Sequence, residues 1–269
     1  MEEKGFISLE KGALHYIKMG SGKRLLIAFH GYGNEAAIFS PFLYYLKNDF
    51  TIYSIDLPHH GKSNWNRYLP LELKDLTNLV TQLKNKTGVE KISLMGYSMG
   101  GRVCLCIAQL MPKLIDRMLL MAPDGLVFSP LYYFVTENFI GKRMFKHFLT
   151  KPGSYMKFID KLREKKWIDE SRYKFAQWYL QSEKDRDFLL RVWPGMRKIV
   201  PDLKKLKMII NKHHLLVHIF MGTYDRVIPV ANAERFKKGL SSVHVHVLEK
   251  GHRTFDSESI PQIAKCLLK

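Results

Sequence analysis

Three side chains in this chain have the types needed to attack a carbonyl together: a serine on a tight turn, a histidine to take its proton, and an aspartate to orient that histidine. The serine is Ser98, at the apex of Gly96-Tyr97-Ser98-Met99-Gly100-Gly101. An apolar run, Lys91–Met95, precedes it, and Val103–Ala108 comes after it with helical spacing. A strand, a sharp turn and a helix would hold the hydroxyl clear of the backbone, where a base can reach it. A serine hydroxyl is a poor nucleophile at neutral pH, so the base is obligatory. His252, in Lys250-Gly251-His252-Arg253, lies just after the apolar run Val243–Leu248 and is the predicted base among eleven histidines. Two acids compete to orient it. Asp225 comes after Leu215–Met221, and Asp124 after Met118–Ala122. Asp225 is preferred because its strand should neighbour the one leading to His252; Asp124 is the runner-up.

A tetrahedral oxyanion needs waiting donors. The backbone amide of Met99, just after the serine, should be one. Tyr32, in the glycine-flanked turn His30-Gly31-Tyr32-Gly33, should supply the other. His30, Tyr97 and Arg102 are candidate substrate contacts. No cluster of cysteines and histidines has zinc spacing, and neither metal nor cofactor is called for.

These residues need a scaffold that brings strand ends to one edge. Phe6–Glu10 and Leu14–Lys18 alternate around Lys11-Gly12 as a hairpin. Leu25–Phe29, Phe50–Ile55, the run before Ser98, Met118–Ala122, Leu215–Met221 and Val243–Leu248 are short apolar strands, separated for the most part by helical patterns. Helices are expected at Ala37–Leu46, about Leu69–Leu83, about Val230–Leu240 and Ile260–Leu268. Such alternation argues an α/β fold, with a mostly parallel sheet covered on both faces. The rhythm breaks over 126–214, a stretch of helices interrupted at Pro152-Gly153, Pro194-Gly195 and Pro201. The predicted organisation is a core from 1–125 and 215–269, with a helical insertion at 126–214.

In kind and in order, these pieces resemble the α/β-hydrolase fold enzymes. The resemblance rests on His30-Gly31, Asp56-Leu57-Pro58 through Gly61-Lys62-Ser63, the Ser98 turn, Gly222 to Asp225 with Pro229, and Gly251-His252. It implies an eight-stranded sheet with a helical lid after strand six. His59 departs from the family pattern, which has glycine there. A serine at position 98 argues against the haloalkane dehalogenases and epoxide hydrolases, which place an aspartate there. Tyr97-Ser98-Met99-Gly100-Gly101-Arg102 is also similar to the turn of the menaquinone-pathway lyases, the SHCHC synthases, which eliminate pyruvate from an anionic ring compound. There Arg102 would hold a carboxylate.

The expected function is a carboxylesterase-like serine hydrolase of a small to medium ester or related acyl substrate. Its rivals are a lyase or carbon–carbon hydrolase acting on an anionic ring, and a non-catalytic binding protein on the same scaffold. None of the residues whose loss would mark a retired scaffold is missing.

Length and charge bound the rest. The chain has 269 residues and a net charge of +18, of which 126–214 carries +11. That segment also holds 16 of the 33 aromatic residues, interleaved with lysine and arginine in Phe145–Phe148, Tyr155–Phe158 and Arg172–Phe175. Amphipathic helices with aromatics inside and lysines outside are expected, with contact to an anionic membrane surface as a further possibility. No nucleic-acid-reading motif accompanies the charge. The acidic start Met1-Glu2-Glu3-Lys4, three cysteines and no long apolar run predict a cytoplasmic protein with reduced thiols.

Overall fold

The computed structural model describes residues 2–167, 173 and 182–268. The chain divides into two compact units, Met1–Phe128 with Lys198–Lys269, and Ser129–Arg197.

The first unit is built on a sheet of nine strands: β1 (Glu3–Leu9), β2 (Gly12–Met19), β3 (Arg24–Phe29), β4 (Phe50–Ile55), β5 (Asn64–Trp65), β6 (Ile92–Tyr97), β7 (Ile115–Met121), β8 (Leu216–Gly222) and β9 (Val243–Leu248). Their order is β1-β2-β4-β3-β6-β7-β8-β9, with β5 beside β2. Strands β1, β2 and β5 pair antiparallel, and β2 joins β4 antiparallel. From β4 across to β9 every pairing is parallel. Six strands therefore deliver their carboxyl ends to one edge. Every residue of β6 is buried, as a central strand covered on both faces requires.

The sheet has nine strands where the family resemblance implied eight. The extra one, β5, is two residues long, too short to show a period of its own. A second difference lies at Ala37–Leu46, read as one helix. The chain forms a 3₁₀ segment at Ala36–Phe42 and only then an α-turn at Leu43–Leu46. Pro41 lies inside the 3₁₀ segment; it has no N–H to give an α-helical ladder. The next helix starts at Leu73 rather than near Leu69, because Glu72 and Asp75 form a reciprocal capping box. Lys11, from the β1–β2 turn, reaches both carboxylates, at 2.6 Å and 2.9 Å, and ties the hairpin to the helix start.

The second unit contains the helices Pro130–Glu137, Phe139–Thr150, Pro152–Glu164 and Glu183–Gly195 among the described residues. Inside it, Phe145 stacks on Trp193 with centroids 5.3 Å apart, and the Tyr132 hydroxyl donates to the Trp193 carbonyl at 2.8 Å. Phe145 and Leu149 are buried, as an amphipathic pattern demands. Tyr133, Phe139, Ile140 and Met144 are exposed, so the aromatics are not confined to the inside. Of Arg172–Phe175 only Tyr173 is described, and the side chains of Tyr155, Met156 and Phe158 lie outside the described set. The unit is narrower than the stretch 126–214. Leu203–His213 forms a helix of the first unit, with Leu206 and Ile210 buried where it packs against Met99–Leu110. Among the described residues no helix is long and apolar enough to cross a membrane.

Candidate active site

Ser98 lies between β6 and the helix Met99–Leu110. Its backbone sits at φ +49°, ψ −115°, a conformation costly for a residue with a Cβ. The strain is held by close packing on both sides. A Cβ on Gly100 would land on the Phe29 carbonyl at the end of β3, and one on Gly31 would come within 3.1 Å of the Ser98 Cβ. Glycine at both positions lets the His30-Gly31-Tyr32 turn press against the serine. The Met99 amide opens the helix and the Tyr32 amide lies one residue beyond Gly31, so both belong to backbone next to Ser98.

His252 lies beyond β9 and Asp225 beyond β8, its immediate neighbour in the sheet. His252 Nε2 stands 3.0 Å from Ser98 Oγ, and its Nδ1 stands 2.8 Å from Asp225 Oδ2. An ionised carboxylate only accepts, so Nδ1 carries the proton and Nε2 is left to accept from the serine hydroxyl. The Asp225 side chain is wholly buried, and its other oxygen accepts from the amides of Val227 and Ile228, at 2.8 Å and 2.9 Å. These two amides were not anticipated. Their signal is the Asp-x-Val-Ile-Pro run, where an aspartate turns the chain by bonding its own downstream backbone.

Asp124 is not brought to His252. Its Oδ2 lies 3.4 Å from Arg102 Nε, and its Oδ1 accepts from the Gly125 amide at 2.7 Å. Arg102 is buried and paired with this aspartate. Tyr97 packs against the site. Its ring centroid lies 5.5 Å from that of His252, and it meets Phe255 edge-on. Burial pushes the Tyr97 phenol up to about 12, which keeps it neutral.

His30, another candidate contact, is held by backbone at both ring nitrogens. It is fully buried, its Nε2 accepts from the Leu57 amide at 3.0 Å, and its Nδ1 lies 2.8 Å from the Gly31 carbonyl. Both ring nitrogens hold backbone, so His30 positions the turn beside Ser98. His60 contributes similarly, Nε2 accepting from the Gly33 amide at 3.2 Å. Asp56, also buried, accepts from the Ala36 and Lys62 amides and pairs with His15 at 2.7 Å. The neighbouring His59 takes φ +68°, which explains why glycine suits this position in the family pattern.

Burial lowers the His30 pKa to about 4. The unfolded chain binds a proton there near pH 6.5 while the folded chain does not, so the folded state loses stability as pH falls from about 6.5 to about 4. The contribution of His30 over that window is about 3 kcal/mol. In a His30→Asn variant the slope of unfolding free energy against pH, measured by urea titration, is expected to fall by about one proton between these limits. An unchanged slope would remove His30 as the source.

A family model described as alpha/beta hydrolase fold matches residues 24–259. An uncharacterised hydrolase of Bacillus subtilis, YugF, is 26% identical over 243 residues, covering 88% of this chain and 86% of the relative. The solved structure of 2-hydroxy-6-oxo-6-phenylhexa-2,4-dienoate hydrolase from Rhodococcus sp. strain RHA1 superposes with a TM-score of 0.66 at 20% identity, covering 100% of this chain and 99% of that one. The carboxylesterase CesB of Bacillus subtilis superposes with a TM-score of 0.64 at 17% identity, covering 100% and 90%.

Proposed function

Because this chain belongs to the alpha/beta hydrolase fold family and is a hydrolase of that fold, we propose that it is a carboxylesterase-like serine hydrolase of small to medium esters. The observation that carries the proposal is the unbroken hydrogen-bonded series from Ser98 Oγ through His252 to buried Asp225. In this reading Ser98 attacks the ester carbonyl while His252 takes its proton. The oxyanion forms against the Tyr32 and Met99 amides. His252 then returns the proton to the leaving alcohol, and water, deprotonated by the same histidine, releases the acid and frees Ser98. Asp225 keeps His252 in the accepting tautomer and stabilises the imidazolium.

The anionic-ring reading, which the likeness to the Rhodococcus dienoate hydrolase keeps in view, needs a cation at the substrate. Arg102 already has Asp124 as its counter-ion, which favours the neutral ester. A panel of p-nitrophenyl esters assayed beside an anionic oxo-dienoate separates the two. Turnover of acetate or butyrate esters with none of the dienoate is expected. Turnover of the dienoate alone would overturn the ester assignment.

To the insertion 129–197, placed in the chain between β7 and β8, we assign contact with anionic lipid. On Phe139–Thr150, exposed Phe139, Ile140 and Met144 stand beside exposed Lys142, Arg143 and Lys146, a pairing of apolar and basic groups suited to a charged interface. Co-sedimentation with phosphatidylglycerol vesicles, but not with phosphatidylcholine vesicles, is the expected result; equal partition to both would contradict it.

A further inference from the structure

At the β9 edge of the sheet, three metal-binding side chains from three elements meet. His218 lies on β8, His246 on β9 and Cys266 on the final helix, Ile260–Leu268. In the parallel register His218 pairs with His244, and Phe220 with His246, so all four share one face of the sheet. Their rings form a slab. Phe220 stacks on His246 at 4.5 Å, His246 lies 5.3 Å from His218, and His218 lies 5.2 Å from His244. The final helix packs on this face, sharing a hydrophobic cluster with Phe220 through Ile260, Ile263, Ala264 and Leu267, and Cys266 packs at that cluster's margin. His218 Nδ1 and His246 Nε2 are 3.0 Å apart. One ring nitrogen of each histidine and the Cys266 sulfur lie within 4.8 Å of one another, and all three residues are half-buried.

We propose that His218, His246 and Cys266 form a binding site for a divalent transition ion of the zinc class, with water as fourth ligand. Two imidazoles and a thiolate are borderline-to-soft donors, and among the described residues no carboxylate joins them, which selects zinc-like ions over magnesium or calcium. At zinc–nitrogen bonds of about 2.0–2.1 Å, tetrahedral coordination separates two nitrogens by about 3.3 Å and a nitrogen from a thiolate sulfur by about 3.6 Å. The nitrogen pair is already close to this spacing. The sulfur needs an adjustment of about 1 Å, within reach of a rotation about the cysteine χ1. In the metal-free pair one facing nitrogen donates to the other; on binding that ring changes tautomer through solvent, leaving the protons on His218 Nε2 and His246 Nδ1, so both facing nitrogens offer lone pairs. The thiol loses its proton to solvent and becomes the third ligand. The ion would pin the final helix to the two last strands. No local spacing in the sequence announces the site, because only the sheet register and the helix docking assemble it.

The test uses the full chain, stripped with a chelator and titrated with zinc chloride by calorimetry and with cobalt chloride by absorption. One equivalent of zinc, a thiolate-to-cobalt charge-transfer band, and a melting temperature raised by zinc are expected. Cys266→Ser should lose the band and weaken zinc at least about tenfold, and the His218→Ala/His246→Ala double variant should weaken it further. Circular dichroism of each stripped variant checks that it folds. Should the double variant fail to fold, Cys266→Ser and the wild-type cobalt spectrum decide alone. Absence of the band in the wild type, or zinc binding undiminished in Cys266→Ser, would overturn the site.

Discussion

Replacing Ser98 with alanine is expected to lower kcat/KM on a p-nitrophenyl ester by at least about 10⁴-fold while leaving the chain folded. That factor corresponds to about 5.5 kcal/mol of lost transition-state stabilisation. The size reflects the group removed. The oxygen that would bond to the substrate is lost, whereas the backbone amides of Tyr32 and Met99, and the residual catalysis they can support, are untouched. The fold should tolerate the change because alanine keeps the Cβ that the φ +49° conformation already accommodates between Gly31 and Gly100. One hydrogen bond, to His252, is lost. A melting temperature within a few degrees of the wild type, with activity gone, is the predicted pair of results. Retained activity in a folded Ser98→Ala protein would rule out Ser98 as the nucleophile.

The second large effect is expected at Asp225. Asparagine should lower kcat by roughly 10³–10⁴-fold, for a reason of tautomers rather than of charge alone. Its carbonyl would take the place of Asp225 Oδ1, which accepts from the Val227 and Ile228 amides, so the turn survives. Its NH₂ would then face His252 Nδ1, which must become an acceptor. The ring proton moves to Nε2, and Ser98 loses its base. Asp124→Asn supplies the contrast. Asp124 is bonded to Arg102 and to the Gly125 amide, not to His252, and its loss should change kcat by less than about threefold. Steady-state kinetics on both variants distinguish the two acids. An Asp124→Asn protein as impaired as Asp225→Asn would reverse their roles.

The fold and the site were legible to different depths, for physical reasons that particular residues display. Strands such as Leu25–Phe29 and Phe50–Ile55 are buried on both faces, so they appear as unbroken apolar runs. Parallel pairing then gathers the loops at their carboxyl ends along one edge of the sheet. Ser98, Asp225 and His252 each lie just beyond such a run, and for that reason their proximity could be read before any coordinates. Short irregular pieces were not legible. Asn64–Trp65 is too brief for a period, and Pro41 in the midst of Ala37–Leu46 overrode a helical pattern. Side-chain pairings between distant elements were also hidden. Arg102 and His30 read as candidate substrate contacts; the Asp124 beside the one, and Leu57 and Gly31 at the ring nitrogens of the other, come from distant pairings or from the turn itself and are visible only in the fold. His218, His246 and Cys266 belong to the same class: each is unremarked in its own segment, and only the packing of β8, β9 and the last helix brings them together.

The central claim is that Ser98 is a nucleophile activated by His252. Intact-mass spectrometry after incubation with a fluorophosphonate tests it most directly. The wild-type chain should gain one adduct, mapped by proteolysis to Ser98, and both Ser98→Ala and His252→Ala should gain none under the same conditions. A folded wild-type chain that takes up no adduct, or a Ser98→Ala chain that takes it up as readily, would contradict that claim.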